Sequence, residues 1–140
     1  MPTSLKVFFD SDVIIAGSFS QTGASHVLLQ LADLDVIRGY VSEQVIEECR
    51  RNIIKKLPVA MEAFQSILET CFQDVVVPSN SALKEAVGQA DAKDIPILAA
   101  ALEVQADVLT TFNTKDYNPR ESLPEIMRPG DLLKLIQRIV

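Results

Sequence analysis

The chain has 140 residues, 48% of them hydrophobic and 23% charged, a composition that fits a globular domain long enough to bury a core. Two cysteines without metal-ligand spacing make no disulfide framework and suit a reducing compartment. The net charge of −6 disfavours broad, non-specific binding to duplex nucleic acid. It does not exclude a metal-dependent enzyme that acts on nucleic acid, because carboxylates in a metal site are neutralised by the cation.

No segment has the pattern of a targeting or membrane-spanning sequence. No apolar stretch follows a basic start, so no secretion signal is predicted. The longest apolar run, 95–102, is too short to cross a bilayer. The expectation is a soluble, cytoplasmic protein without a membrane partner.

Strands and helices are predicted to alternate along the chain. The first half is predicted to contain a strand over 5–10, a short turn after Asp12, a helix over 23–33, a strand over 36–41, a helix from Ser42 through about residue 56, and a helix that Pro58 opens and that reaches Cys71. The second half is predicted to contain a strand over 75–77, helices over 81–87 and 94–105, a strand over 107–111, a polar loop over 113–124, a strand around Ile126, and a helix that Pro129 starts and that covers 132–139.

This alternation predicts one α/β domain over residues 1–140. The expected fold class is a three-layer α/β/α sandwich with a central parallel sheet of about five strands. No internal repeat or linker interrupts the pattern.

Acidic and amide side chains recur where predicted strands end and helices begin. They are Asp10 and Asp12 after the first strand, Glu48 in the helix after the second, Asp91 and Asp94 before residue 95, and Asn113 and Asp116 after the 107–111 strand. The carboxyl ends of parallel strands share one edge of a sheet, so several of these groups are expected to converge. Carboxylates at such short distances repel one another unless a cation lies between them. Oxygen ligands without histidine or cysteine favour Mg²⁺ or Mn²⁺ over zinc.

The same segments resemble the PIN-domain family of metal-dependent ribonucleases, which includes the VapC-like toxins of bacterial toxin–antitoxin pairs. The matching segments are 9–14, 41–48, 91–101 and 106–113, in family order between residues 7 and 116. The resemblance implies a PIN-like fold and a Mg²⁺- or Mn²⁺-dependent endoribonuclease acting on single-stranded RNA as the toxin of such a pair. It also implies an antitoxin protein as partner and a homodimer.

The resemblance assigns roles residue by residue. It implies metal ligands at Asp10, Glu48, Asp94 and Asp116, and a catalytic group of these four with Asn113. The chain has Asp12 where many members have Asn, and Asn113 followed by Asp116 where many have a fourth Asp. Candidate substrate-binding residues are Ser11, Asp12, Arg51, Lys55, Thr111 and Lys115. Phe112 and Tyr117 are the candidates for stacking on single-stranded bases.

Simpler structural roles remain open for these side chains. The alternatives are helix or turn capping by Asp10, Asp12 and Asp94, pairing of Glu48 with Arg51 or Asn52, turn chemistry for Asn113 and Asp116, and a surface position for Asp91.

Three other functions compete with the ribonuclease. A haloacid-dehalogenase-like phosphatase would use Asp10 as nucleophile and Asp12 as acid/base, but no convincing lysine partner is found. A response-regulator receiver needs an aspartate after its third strand, where this chain has 77–80 without one. A catalytically degenerate PIN module would bind RNA or protein without cleavage, and only Asn113 favours it.

Overall fold

The computed structural model describes residues 5–139. Its strands are β1 (Lys6–Phe9), β2 (Arg38–Ser42), β3 (Asp74–Val76), β4 (Val108–Thr110) and β5 (Glu125–Met127). Its α-helices are α1 (Ser11–Phe19), α2 (Ala24–Asp33), α3 (Glu43–Lys56), α4 (Met61–Thr70), α5 (Asn80–Ala86), α6 (Ile95–Glu103) and α7 (Pro129–Ile139). Short 3₁₀ turns cover Pro58–Ala60, Ala92–Asp94 and Thr114–Asp116.

The five strands form one parallel sheet in the order β3-β2-β1-β4-β5. The connections from β1 to β2 and from β2 to β3 move in one direction across the sheet. The connection from β3 to β4 crosses back over β2 and β1 to the other side of β1. Because such crossovers are right-handed, α1–α4 lie on one face of the sheet and α5 and α6 on the other. The packing of α1 on α2, α3 and α4, and of α5 on α6, agrees with this arrangement. The predicted three-layer α/β/α fold with a five-stranded parallel sheet is therefore confirmed.

The core lies on both faces of the central strand. Val7, Phe8 and Phe9 of β1 have no exposed surface, as expected for a parallel strand covered by helices on both sides. In α6 every residue from 97 to 101 is buried, and the small alanine side chains let this helix lie close to its neighbours. None of the helices within residues 5–139 has the length and hydropathy that a membrane-spanning helix needs.

Helix α1 is the main difference from the sequence-based prediction, which expected only a short turn after Asp12. The β-branched residues Val13, Ile14 and Ile15 lower the helix propensity of this segment. Packing against three other helices outweighs that preference, and Asp10 caps the helix by accepting a hydrogen bond from the Ser11 N–H at 2.8 Å. Helix α1 therefore begins directly after the first strand and carries Ser11 and Asp12 in its first turn.

The sheet order creates a topological switch point at one place on its edge. Strands β1 and β4 are neighbours, but the chain leaves β1 towards β2 on one side and leaves β4 towards β5 on the other. In open α/β sheets ligands bind outside the carboxyl ends of the strands at such a switch point. Asp10 follows β1 at this edge, and Thr111 follows β4.

Candidate active site

Asp10 lies at the centre of this edge and is only 6% exposed. Its Oδ1 accepts the capping hydrogen bond from Ser11. Its Oδ2 accepts hydrogen bonds from the hydroxyl of Thr111 at 3.0 Å and from that of Tyr117 at 2.9 Å. These donors come from α1 and from the segment after β4, so the carboxylate is fixed from both sides. Asp10 caps the helix and also faces the other acidic groups.

Asp12, in the first turn of α1, is tied to the segment that follows β4. Its Oδ2 accepts hydrogen bonds from the Phe112 N–H at 3.0 Å and from the Asn113 amide at 3.1 Å. Its Oδ1 is buried and has no hydrogen-bond partner among the described residues. A buried carboxylate oxygen without a donor is costly, and a proton or a cation would satisfy it.

Glu48 projects from α3, which begins at Ser42, where the serine hydroxyl accepts the Val45 N–H as a helix cap. The Glu48 carboxylate accepts a hydrogen bond from the Ser11 hydroxyl at 3.0 Å and a longer one from Gln44 at 3.4 Å. The alternative partners are not used, because no ion pair joins Glu48 to Arg51 in the described chain and Asn52 donates to the Glu48 backbone carbonyl instead. Ser11 therefore links Glu48 to the Asp10 end of β1.

A second acidic group lies before α6. Asp91, Asp94 and Asp116 each offer a carboxylate oxygen, and these oxygens lie within 4.8 Å of one another. The Lys93 ammonium contacts Asp94 Oδ2 at 2.8 Å and Asp116 Oδ2 at 3.3 Å. Although Asp94 is the N-cap residue of α6, its side chain makes no capping hydrogen bond and instead pairs with Lys93 in this cluster.

The structure does not bring all four predicted ligands, Asp10, Glu48, Asp94 and Asp116, within 4.8 Å of one another. Within residues 5–139, Asp91, Asp94 and Asp116 are the one group of three potential ligands within 4.8 Å, and Asp10 and Glu48 lie outside it. Asp91 is exposed, as the sequence predicts, but its carboxylate also belongs to this group. Asp94 joins the two parts, since the charges of both Asp10 and Asp116 act on it.

The pKa values report how unfavourable ionisation is at this edge. Burial raises the pKa of Asp10, and the Glu48 charge adds to the rise against the lowering effect of its hydrogen-bond donors. Burial, with the neighbouring Asp10 charge, raises the pKa of Asp12 to about 6. Burial also raises the pKa of Asp94, although the Lys93 ammonium opposes it. Three carboxyl groups that resist ionisation next to one another form an environment that a cation would relieve.

The donor set fits a hard divalent ion. Three carboxylates lie within 4.8 Å of one another with one contacting ammonium, and three more follow β1 or project from α3. Their oxygens are the ligands that Mg²⁺ and Mn²⁺ prefer. The unpartnered Asp12 Oδ1 is consistent with a site built around positive charge. The carboxylates in question are Asp10, Asp12, Glu48, Asp91, Asp94 and Asp116.

The remaining candidate residues are exposed and form no ion pair with the carboxylates of the site among the described residues. Arg51 and Lys55 are exposed on α3, three and seven residues after Glu48 and therefore on its side of the helix. Lys115 is exposed in the 3₁₀ turn after β4. No ion pair within 4.0 Å joins any of the three to an acidic side chain in the described part of the chain.

Sequence reasoning assigned Tyr117 differently and did not single out Arg128. Tyr117 was a stacking candidate, but it is 6% exposed and its phenol donates to Asp10, so its ring is not available to a base. Burial and the Asp10 charge raise its pKa, which keeps the phenol protonated as a donor. Arg128 donates to the Phe112 carbonyl at 3.1 Å at the rim of the site. No periodic pattern marks either contact in the sequence.

Comparison with known families identifies the family of this chain. A family model described as PIN domain matches residues 6–115, which is most of the chain and includes every carboxylate of the site except Asp116. This chain belongs to the PIN-domain family. No curated protein and no solved structure matches the chain significantly.

Membership of the PIN-domain family has functional consequences. PIN domains form a nuclease superfamily and typically use divalent metal ions, and the acidic cluster at the sheet edge could hold one. The predicted resemblance to the PIN-domain family is thereby confirmed.

Replacing Asp12 by Asn is expected to stabilise the metal-free PIN domain at alkaline pH. The pKa of Asp12 in the fold, about 6, lies above its ordinary value of 3.8. The stability that its protonated form contributes is therefore complete below about pH 4 and lost as the pH rises through about 6. The melting temperature of D12N in EDTA should exceed that of the parent at about pH 8, and the difference should shrink towards pH 4. A difference that stays constant across this range would contradict the assigned pKa.

Proposed function

We propose that this PIN domain is a Mg²⁺- or Mn²⁺-dependent endoribonuclease that hydrolyses phosphodiester bonds of single-stranded RNA. The observation that carries the proposal is the group of carboxylate oxygens of Asp91, Asp94 and Asp116 within 4.8 Å of one another, with the Asp10 charge also acting on Asp94. A purely structural role would not require carboxyl groups whose ionisation is unfavourable to lie together at a ligand-binding edge.

The finer parts of the proposal rest on the resemblance to VapC-like toxins. They are the role as toxin of a toxin–antitoxin pair, a small antitoxin protein as partner, and a homodimer. RNA as the preferred nucleic acid has the same basis. The proposed cytoplasmic location rests instead on the composition, because the two cysteines suit a reducing compartment. We also propose that residues 1–140 form a single functional domain, as the alternation of strands and helices predicts.

The ion would be held by Asp10, Glu48, Asp94 and Asp116, with Asp91 as an additional oxygen donor. When bound, a divalent ion acidifies a water nucleophile and stabilises charge on the phosphate and on the leaving oxygen. The donors around Asp10 indicate which of its atoms is free to bind it. Oδ2 already accepts two hydrogen bonds, whereas Oδ1 accepts one and keeps a lone pair.

The other residues of the site hold these carboxylates in place. Thr111 and Tyr117 fix the orientation of Asp10, and Ser11 fixes Glu48. Asn113 holds Asp12 through its side-chain amide, which joins α1 to the segment after β4. The proposed catalytic contribution of Asn113 is therefore to keep the two halves of the edge together.

A polyanionic substrate also needs positive charge beside so many acids. Arg51 and Lys55 extend from the Glu48 side of α3, and Lys115 lies on the opposite rim. Since none of them forms an ion pair with an acid in the described residues, their charges are available for phosphate oxygens.

The test is cleavage of a labelled single-stranded RNA by purified protein with Mn²⁺, with Mg²⁺ and with EDTA. The expected result is internal cleavage with either ion and none with EDTA, with slower or no cleavage of single-stranded DNA of the same sequence. Hydrolysis of p-nitrophenyl phosphate with the RNA intact would replace this function by the phosphatase. Binding of RNA without cleavage under all conditions would indicate a degenerate PIN module.

A further inference from the structure

Phe112 lies beside the acidic site and is held there by its backbone. Its N–H donates to Asp12 Oδ2 at 3.0 Å, and its carbonyl accepts a hydrogen bond from Arg128 at 3.1 Å. The Arg128 guanidinium also lies over the Phe112 ring, 5.7 Å from the ring centroid. The ring and the guanidinium therefore form one unit, fixed to a residue of the site.

This unit is unusual among the aromatic residues of the chain. The chain has six Phe and two Tyr, and among these eight residues Phe112 (37%) and Phe19 (58%) are the exposed ones. Phe19 lies at the far end of α1 from the acidic site, so Phe112 is the exposed ring at the sheet edge. Arg128 is exposed as well, and no carboxylate within residues 5–139 pairs with it.

The chemistry of the pair indicates its ligand. An exposed aromatic ring stacks on any nucleobase, and an arginine can extend the stack or bind the phosphate of the same nucleotide. A base within a duplex is already stacked and paired, so only an unpaired base can use such a ring. Among residues 5–139 no acidic side chain pairs with Arg128, and Phe112 does not belong to the buried core.

We propose that Phe112 and Arg128 form the binding site for one unpaired nucleotide of the substrate, with the base on the Phe112 ring and the phosphate on Arg128. The proposal rests on the proposed nuclease function, because it places this nucleotide next to the bond that the acidic site would cleave. It assigns the preference for single strands to a stacking contact rather than to the shape of the acidic edge.

The test is equilibrium binding of a short single-stranded RNA that carries one 2-aminopurine, with Ca²⁺ in place of the catalytic ion. Stacking quenches 2-aminopurine fluorescence, so the parent protein should show saturable quenching with the single strand and none with the corresponding duplex. Phe112→Leu should lose the quenching and bind roughly tenfold more weakly, whereas Phe112→Trp should retain both. Arg128→Gln should weaken binding and lower its salt dependence by about one phosphate contact.

Phe19→Leu is the matched control, since it removes an exposed ring far from the site and should leave binding unchanged. Equal quenching by the parent and Phe112→Leu would overturn the proposal, and so would loss of binding in both Phe112→Leu and Phe112→Trp, which would indicate a structural role for the loop. Parent protein that quenches the probe but does not cleave RNA with Mn²⁺ would refute the nuclease and leave the nucleotide site intact. Cleavage by the parent, with no effect of Phe112→Leu on binding, would support the nuclease and refute the nucleotide site.

Discussion

Replacing Asp10 by Asn should reduce the rate of metal-dependent RNA cleavage by at least about a hundredfold. Asp10 is the carboxylate at the centre of the edge, fixed by Ser11, Thr111 and Tyr117. The amide keeps the size of the side chain but removes its charge and one oxygen ligand. The measurement is the single-turnover cleavage rate at saturating Mn²⁺, with circular dichroism to show that the fold is retained.

The matched control for this variant is Asp131→Asn. Asp131 is an exposed aspartate in the first turn of α7, outside the acidic site. Purified in the same way, it should cleave at the parent rate. Loss of cleavage in Asp10→Asn but not in Asp131→Asn would exclude a contaminating ribonuclease as the source of activity. Equal rates for Asp10→Asn and the parent would remove Asp10 from the catalytic centre.

Mn²⁺ should raise the melting temperature of the parent by about 5–10 °C at a concentration about a hundred times its dissociation constant. An ion that binds only the folded state contributes about 2.7 kcal/mol under these conditions, and each kcal/mol shifts the melting temperature of a domain of this size by about 2–4 °C. The physical source is that burial, and to a smaller extent mutual repulsion, raises the pKa values of these carboxyl groups in the metal-free state, and a bound cation would compensate their charge. Differential scanning calorimetry over a Mn²⁺ series checks the size and the concentration dependence.

The variants separate a specific site from general ion binding. Asp94→Asn should lose most of the Mn²⁺-dependent rise, because Asp94 is shared by the two acidic groups. Asp131→Asn should retain it. A rise of the same size in the parent and in Asp94→Asn would place the stabilising ion elsewhere on the surface.

The positions of the strands and of most helices along the chain could be predicted, because the sequence signals for them are local. Short continuous apolar runs mark β1 and β4, and Ser42 and Pro58 mark helix boundaries that the structure retains in α3 and in the 3₁₀ turn before α4. Helix α1 could not be predicted in the same way, because its β-branched residues favour extended backbone and its stability comes from packing on helices distant in sequence.

The acidic edge was predictable for a different reason. Parallel strands end at the same edge of a sheet, so the fold class places Asp10 and Thr111 on one edge. The pairing of β1 with β4 then brings the two residues close together. The contacts of Lys93 and Tyr117 depend on how the loops after α5 and β4 fold back, as in the hydrogen bond between Tyr117 and Asp10, 107 residues apart. No motif or periodicity in the sequence encodes a contact of that kind.

The most direct test of the central claim is anomalous scattering from crystals grown with Mn²⁺, measured at the manganese edge. The claim is that Asp10 and Asp94 bind a divalent ion at the carboxyl edge of β1 and β4. The predicted result is an anomalous peak within ligand distance, about 2–2.5 Å, of both carboxylates, with the Lys93 ammonium displaced from Asp94. A map without a peak there, or with manganese bound only away from Asp10, would contradict the account.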